Sequence, residues 1–67
     1  MITYFGTIIH TQKHGNTIYI ICEDNDIYSL LSYNTEYNIT DVIKRVSDLS
    51  YIEYLLKQKI CNDNGND

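Results

Sequence analysis

The stretch Thr17-Ile18-Tyr19-Ile20-Ile21-Cys22-Glu23-Asp24-Asn25-Asp26-Ile27-Tyr28-Ser29-Leu30-Leu31-Ser32-Tyr33 decides the fold. β-branched and aromatic residues crowd both of its halves, while Glu23-Asp24-Asn25-Asp26 interrupts them with residues that suit a turn. The reading is a β-hairpin with strands Thr17 to Glu23 and Ile27 to Tyr33. Taking Asp24-Asn25 as a two-residue turn pairs Cys22 with Ile27, Ile20 with Ser29 and Ile18 with Leu31. Alternate strand residues point to opposite sides. This register therefore gathers aliphatic groups on one face, expected to be the core. The other face sets Tyr19, Ile21 and Glu23 against Leu30, Tyr28 and Asp26, and is expected to stay open.

Upstream, Ile2 to Thr11 reads as a further strand, with apolar groups on both sides and Gly6 marking a bulge or a close backbone contact. Gln12-Lys13-His14-Gly15-Asn16 then forms a polar turn containing a Gly-Asn pair. Downstream, Asn34 to Asn38 is a polar connection, and Thr40-Asp41 looks like a helix start. Val42, Val46, Leu49, Ile52, Leu56 and Ile60 recur at three- and four-residue spacings, one helical stripe that Ile43 widens. Ser50-Tyr51-Ile52-Glu53 matches a capping box, which places a kink or split near residues 48–50.

The predicted architecture is α+β: a three-stranded antiparallel meander, then a C-terminal helical segment from about 41 to 60 packed on one face. Residues 1–61 form a single domain, and 62–67 a disordered polar tail.

Composition narrows the function. The 67 residues hold seven tyrosines, one phenylalanine, no tryptophan and no proline. A domain of about 60 residues buries only about 60% of its unfolded surface, so a chain this small commonly gains a disulfide, a metal or a second subunit. Cys22 and Cys61 make at most one bridge, so a homodimer is expected. The longest apolar run, Ile18 to Cys22, is far too short to span a bilayer. The N-terminus has no basic, apolar, small-residue sequence of a leader. A cytoplasmic protein with reduced thiols and no membrane partner is expected, and Asn38-Ile39-Thr40 is then a chance match to a glycosylation sequon. Nine acidic residues against five basic ones give a net charge of −4. That balance, with no cluster of Lys and Arg, disfavours a direct grip on nucleic acid and suits a basic protein surface.

No catalytic constellation is present. The serines lack a nucleophile-elbow context, and the three glycines are too scattered to cradle a phosphate. Glu23, Asp24 and Asp26 crowd one turn, but counting from Asp24 the later calcium-ligand positions fall on Tyr28, Leu30 and Thr35, so an EF-hand loop fails. His10 and His14 stand four apart at a strand end rather than on a helix, and a zinc site with Cys22 and Cys61 needs convergence from three separate elements. Neither a metal nor a cofactor is expected.

The tyrosines carry the remaining signal, because large rigid rings are enriched at interface cores. Tyr19 and Tyr28, joined by Tyr4 and flanked by Glu23, Asp24 and Asp26, form the expected partner-binding set. In size, acidity and lack of catalytic apparatus the chain resembles the small single-domain proteins of phages and mobile elements. That resemblance implies a non-catalytic, stoichiometric inhibitor or adaptor that occupies a surface of a host enzyme or defence protein, its basic nucleic-acid groove included. A structural homodimer is the alternative, and an accessory nucleic-acid binder ranks third.

Overall fold

The fold is seen in a computed structural model that describes residues 2–3 and 5–65, with side chains for 5–61. An antiparallel sheet is followed by one C-terminal helix, as predicted. The sheet has four long strands where three were expected: β2 (Gly6–His14), β3 (Thr17–Asp24), β4 (Ile27–Asn34) and β5 (Ile39–Val46). A two-residue β1 (Ile2–Thr3) folds back on the start of β2, and the strands lie side by side in chain order. The helix α1 spans Leu49–Gly65, beyond the predicted end at 60. Residues 66 and 67 of the expected tail lie outside the described residues.

The fourth long strand corrects the helix expected from Thr40-Asp41. Five of the eight residues Ile39–Val46 are β-branched (Ile39, Thr40, Val42, Ile43, Val46), and their stiff side chains favour extended backbone. The spacing of Val42, Val46 and Leu49 fits a helix by coincidence. The link from β4 is a built turn. Asn34 Oδ1 accepts from the backbone N–H of Glu36 at 2.9 Å and of Tyr37 at 3.0 Å, and Asn38 takes φ 56°. Such side-chain-to-backbone bonds substitute for a backbone turn. The Tyr33 hydroxyl donates to Asn38 Oδ1 across it. Thr35 N–H donates to the Asn16 carbonyl at 2.8 Å, tying this turn to the β2–β3 turn at the same end of the sheet.

The expected break near 48–50 is real, but it separates a strand from a helix. Asp48 Oδ1 accepts from the Ser50 N–H at 3.0 Å, so Asp48, not Ser50, caps α1.

In the β3–β4 hairpin the turn residues are Asn25 and Asp26, both at positive φ (50° and 68°). This pair of left-handed residues matches the twist of the flanking strands. The turn sits one residue later than predicted, and Cys22 pairs with Ser29, Ile20 with Leu31 and Ile21 with Leu30. A two-residue slide keeps the membership of each face. The close approach expected at Gly6 is present: its φ is 103°, and a Cβ there would lie 2.3 Å from the Glu23 carbonyl oxygen.

The predicted choice of core face is reversed. Tyr19, Ile21 and Leu30 lie buried beneath Ile52 and Leu56 of α1, and Tyr28, Ile43, Val46, Leu49, Leu55 and Ile60 pack around them. The supposedly open tyrosine face is the helix-covered one. Apolar area does not separate the two faces, since the open one carries Ile18, Ile20, Ile27 and Leu31 and the covered one Ile21, Leu30 and the rings of Tyr19 and Tyr28. The side to which the chain turns after Val46 decides.

Candidate binding surfaces

The predicted partner-binding residues do not form one open patch. Tyr19 is only 6% exposed and belongs to the core, so it is removed from any contact surface. Tyr28 is half-buried against the same core. Tyr4 lies outside the described residues. The three acids do stay together at the hairpin end. Asp26 is exposed on the turn, and its N–H donates to Glu23 Oε2 at 3.4 Å. Asp24 faces Arg45 at 3.9 Å, with both side chains near half exposure. Such a surface pair contributes at most about 1 kcal/mol, but it offsets one negative charge of the trio.

The face away from α1 holds Ile18, Ile20 and Cys22 of β3, Ile27, Ser29, Leu31 and Tyr33 of β4, and Val42 of β5, as the pairings require. Its two ends differ. Near the hairpin, Cys22 and Ser29 are fully buried although no helix lies over them. Arg45 sits 5.8 Å from the centre of the Phe5 ring. Phe5 precedes β2 and Arg45 lies on β5, three strand spacings or about 14 Å away at the backbone. Arg45, the cross-strand neighbour of Ser29, thus meets Phe5 and Asp24 at this end of the sheet. The Ser29 hydroxyl has no hydrogen-bond partner among the described residues.

Toward the other end the face opens. Ile18, Ile20 and Tyr33 are half-buried, and Val42, across from Leu31, is 48% exposed. These side chains are contiguous on adjacent strands, unlike the single exposed apolar residues that need no explanation.

A second concave surface lies on the helix side. α1 packs chiefly over β4 and β5. Beside it, toward β2, runs a groove of about 680 Å³ lined by Ile9, Ile21, Leu49, Leu56 and Ile60, with Glu53 and Lys57 along its helical wall. Ile9 is the extra residue of a β-bulge between Ile8 and His10, which lets both Ile9 and His10 line the groove. Sequence reading could not show this, because a bulge leaves no alternation to detect. On the outer side of α1, Tyr51 and Tyr54 stack with centroids 6.4 Å apart and planes at 21°.

His10 and Cys61 also line the groove, while Cys22 is sealed inside the sheet. Among the described residues no three His, Cys, Asp or Glu side chains stand close enough together to hold a metal ion. No helix among them is long and apolar enough to cross a membrane. Comparison with family models, with curated proteins and with solved structures finds no match to this chain.

Proposed function

We propose that this chain is a non-catalytic protein-binding module whose contact surface is the helix-free face of its sheet. One observation carries the reading: Ile18, Ile20, Tyr33 and Val42 form a contiguous apolar area on the face that α1 leaves bare. Antiparallel sheets usually turn a polar face to water. An apolar one rimmed by charge is the composition of a protein contact. The rim here is Lys13 on one side and the Asp24–Arg45 pair on the other.

The mode of action that suits such a module is stoichiometric occupation of a partner, as an inhibitor or adaptor of the kind phages and mobile elements carry. Glu23, Asp24 and Asp26 at the hairpin end, together with the net charge of −4, favour a partner with basic groups beside its apolar contact. Nucleic acid is a poor fit, since the five basic residues do not gather on this face.

The test uses the tagged full chain as bait in its native host, with Val42→Arg and Gln58→Arg as paired variants. Both positions are exposed, so both variants should fold. A protein retained by the wild type and by Gln58→Arg, but lost with Val42→Arg, supports the reading. Equal retention by all three places the contact elsewhere and sinks it. Elution of that protein as salt rises would mark the acidic contribution.

A further inference from the structure

We infer that the outer edge of β5 pairs with β5 of a second copy of this chain, giving a two-fold dimer with one continuous antiparallel sheet and both helices on the same face. β5 is the last strand of the sheet, and no described strand borders its outer side. An edge of eight residues presents a row of unpaired N–H and C=O groups, which is a template for another strand.

The pairing of β5 with β4 shows which groups are free. The two-residue turn at Asn25 and Asp26 makes Asp24 and Ile27 a hydrogen-bonded pair. Such pairs alternate along a strand. Ile27, Ser29, Leu31 and Tyr33 therefore bond to β3, and Tyr28, Leu30, Ser32 and Asn34 to β5, where their partners are Val46, Lys44, Asp41 and Ile39. Thr40 and Arg45 are left with their N–H and C=O groups directed outward.

A second β5 matches this edge in one register. Antiparallel neighbours within a sheet are related by a two-fold axis normal to it, which keeps each face on its own side. With that axis between Val42 and Ile43, Thr40 falls opposite Arg45 of the second copy, so the outward groups of one strand meet those of the other. Asp41 falls opposite Lys44 and Ile39 opposite Val46, each twice by symmetry. The faces agree as well. Asp41 and Lys44 are neighbours of Ser32 and Leu30, and Ile39 and Val46 of Asn34 and Tyr28, all on the helix side. In an unbroken strand residues 41 and 44 would point to opposite sides, and the bulge at Ile43 brings them to one. The bulge lies at the axis and leaves a three-residue ladder on either side of it.

The helices also fit. α1 lies over β4 and β5, and the axis stands half a strand spacing beyond β5. With strands about 4.8 Å apart, the two helices come to lie about 10 Å from each other, the separation of packed helices. They run antiparallel, and the side of α1 away from the groove, with Tyr51 and Leu55, faces its counterpart. Tyr51, 42% exposed, and Ile39, 52% exposed, thereby gain cover. The pairing uses the edge of the sheet and not its helix-free face, so the inference stands independently of the binding reading above.

Sedimentation equilibrium on the full chain tests this, with far-UV circular dichroism confirming that each variant keeps its fold. The wild type is expected to be a dimer at micromolar concentration. Thr40→Pro removes one outward N–H, a change an edge strand tolerates, and should leave a folded monomer. Asp41→Lys or Lys44→Asp alone sets like charges opposite each other twice, and each should weaken dimerisation about tenfold. The double exchange restores the pairing and should return the dissociation constant to within about threefold of wild type. This exchange decides by itself if the proline variant loses its fold. A chain that stays monomeric to about 100 μM, well above the micromolar range of typical specific association, overturns the inference. So does a dimer that survives in folded Thr40→Pro, or one that ignores both single reversals.

Discussion

The two faces of this sheet are built from nearly the same alphabet and end in different states. On one, Tyr19, Ile21 and Leu30 are sealed by Ile52 and Leu56 of α1. On the other, Ile18, Ile20 and Leu31 pack with no helix over them, and Arg45 meets the Phe5 ring at one end. Apolar content alone therefore does not decide what becomes core. The cover does, and a chain with one helix can cover only part of one face.

The sharpest way to break this comparison is at the adjacent leucines of β4. Leu30 is fully buried beneath the helix, and Leu31 is nearly as buried on the helix-free side. Leu30→Ala should leave a cavity in the two-layer core and cost about 3–4 kcal/mol, a large share of the roughly 3–10 kcal/mol available to a domain of this size. Leu31→Ala empties a site that no helix covers, where the neighbours can close in more freely, and should cost about 2 kcal/mol. Urea melts of the two variants measure the difference. Equal losses would mean that the second face is covered as fully as the first.

Next in size is Gly6→Ala. The added methyl would collide with the Glu23 carbonyl oxygen, and φ is in the region that side chains disfavour. A loss of about 2 kcal/mol is expected, since both strain and displacement of the β3 backbone contribute. Thermal denaturation reads it directly. Asp48→Ala should cost about 1 kcal/mol by removing the acceptor for the Ser50 N–H, and the loss should appear with Asp48→Ala but not with Ser50→Ala.

The smallest effect belongs to the hairpin end of the helix-free face. Ser29 buries a hydroxyl without a partner, so Ser29→Ala removes an unsatisfied group and should be neutral or stabilise by up to about 1 kcal/mol. A clear loss in a chemical denaturation curve would reveal a bond to that hydroxyl.

The hairpin and its face membership were legible because alternation and turn residues act locally. The helix from 49 onward was legible through its stripe, and the interruption near 48–50 through its capping residues. β5 was not, because Thr40-Asp41 imitates a helix cap and Val42 and Val46 fall on helical spacing. Only the pairing of the strand with β4 tells the two readings apart, and that contact is not local. The choice of core face was illegible for a related reason. Ile18, Ile20 and Leu31 match Ile21, Leu30 and the tyrosine rings closely in apolar area, so the decision rests on which side the chain turns after Val46. The candidate surface inherited that error: Tyr19 and Tyr28 were selected as open rings, whereas the open apolar groups are Val42 and its neighbours. The groove was hidden by the bulge at Ile9.

Sidedness is the claim on which the surfaces depend, and a methyl-selective nuclear Overhauser experiment measures it without any partner. The account requires cross-peaks from the methyl groups of Ile52 and Leu56 to Ile21, Leu30 and the ring of Tyr19. It requires none to Ile18, Ile20 or Leu31. Cross-peaks from Ile52 to Ile20 and Leu31 would place α1 on the other face and contradict the account.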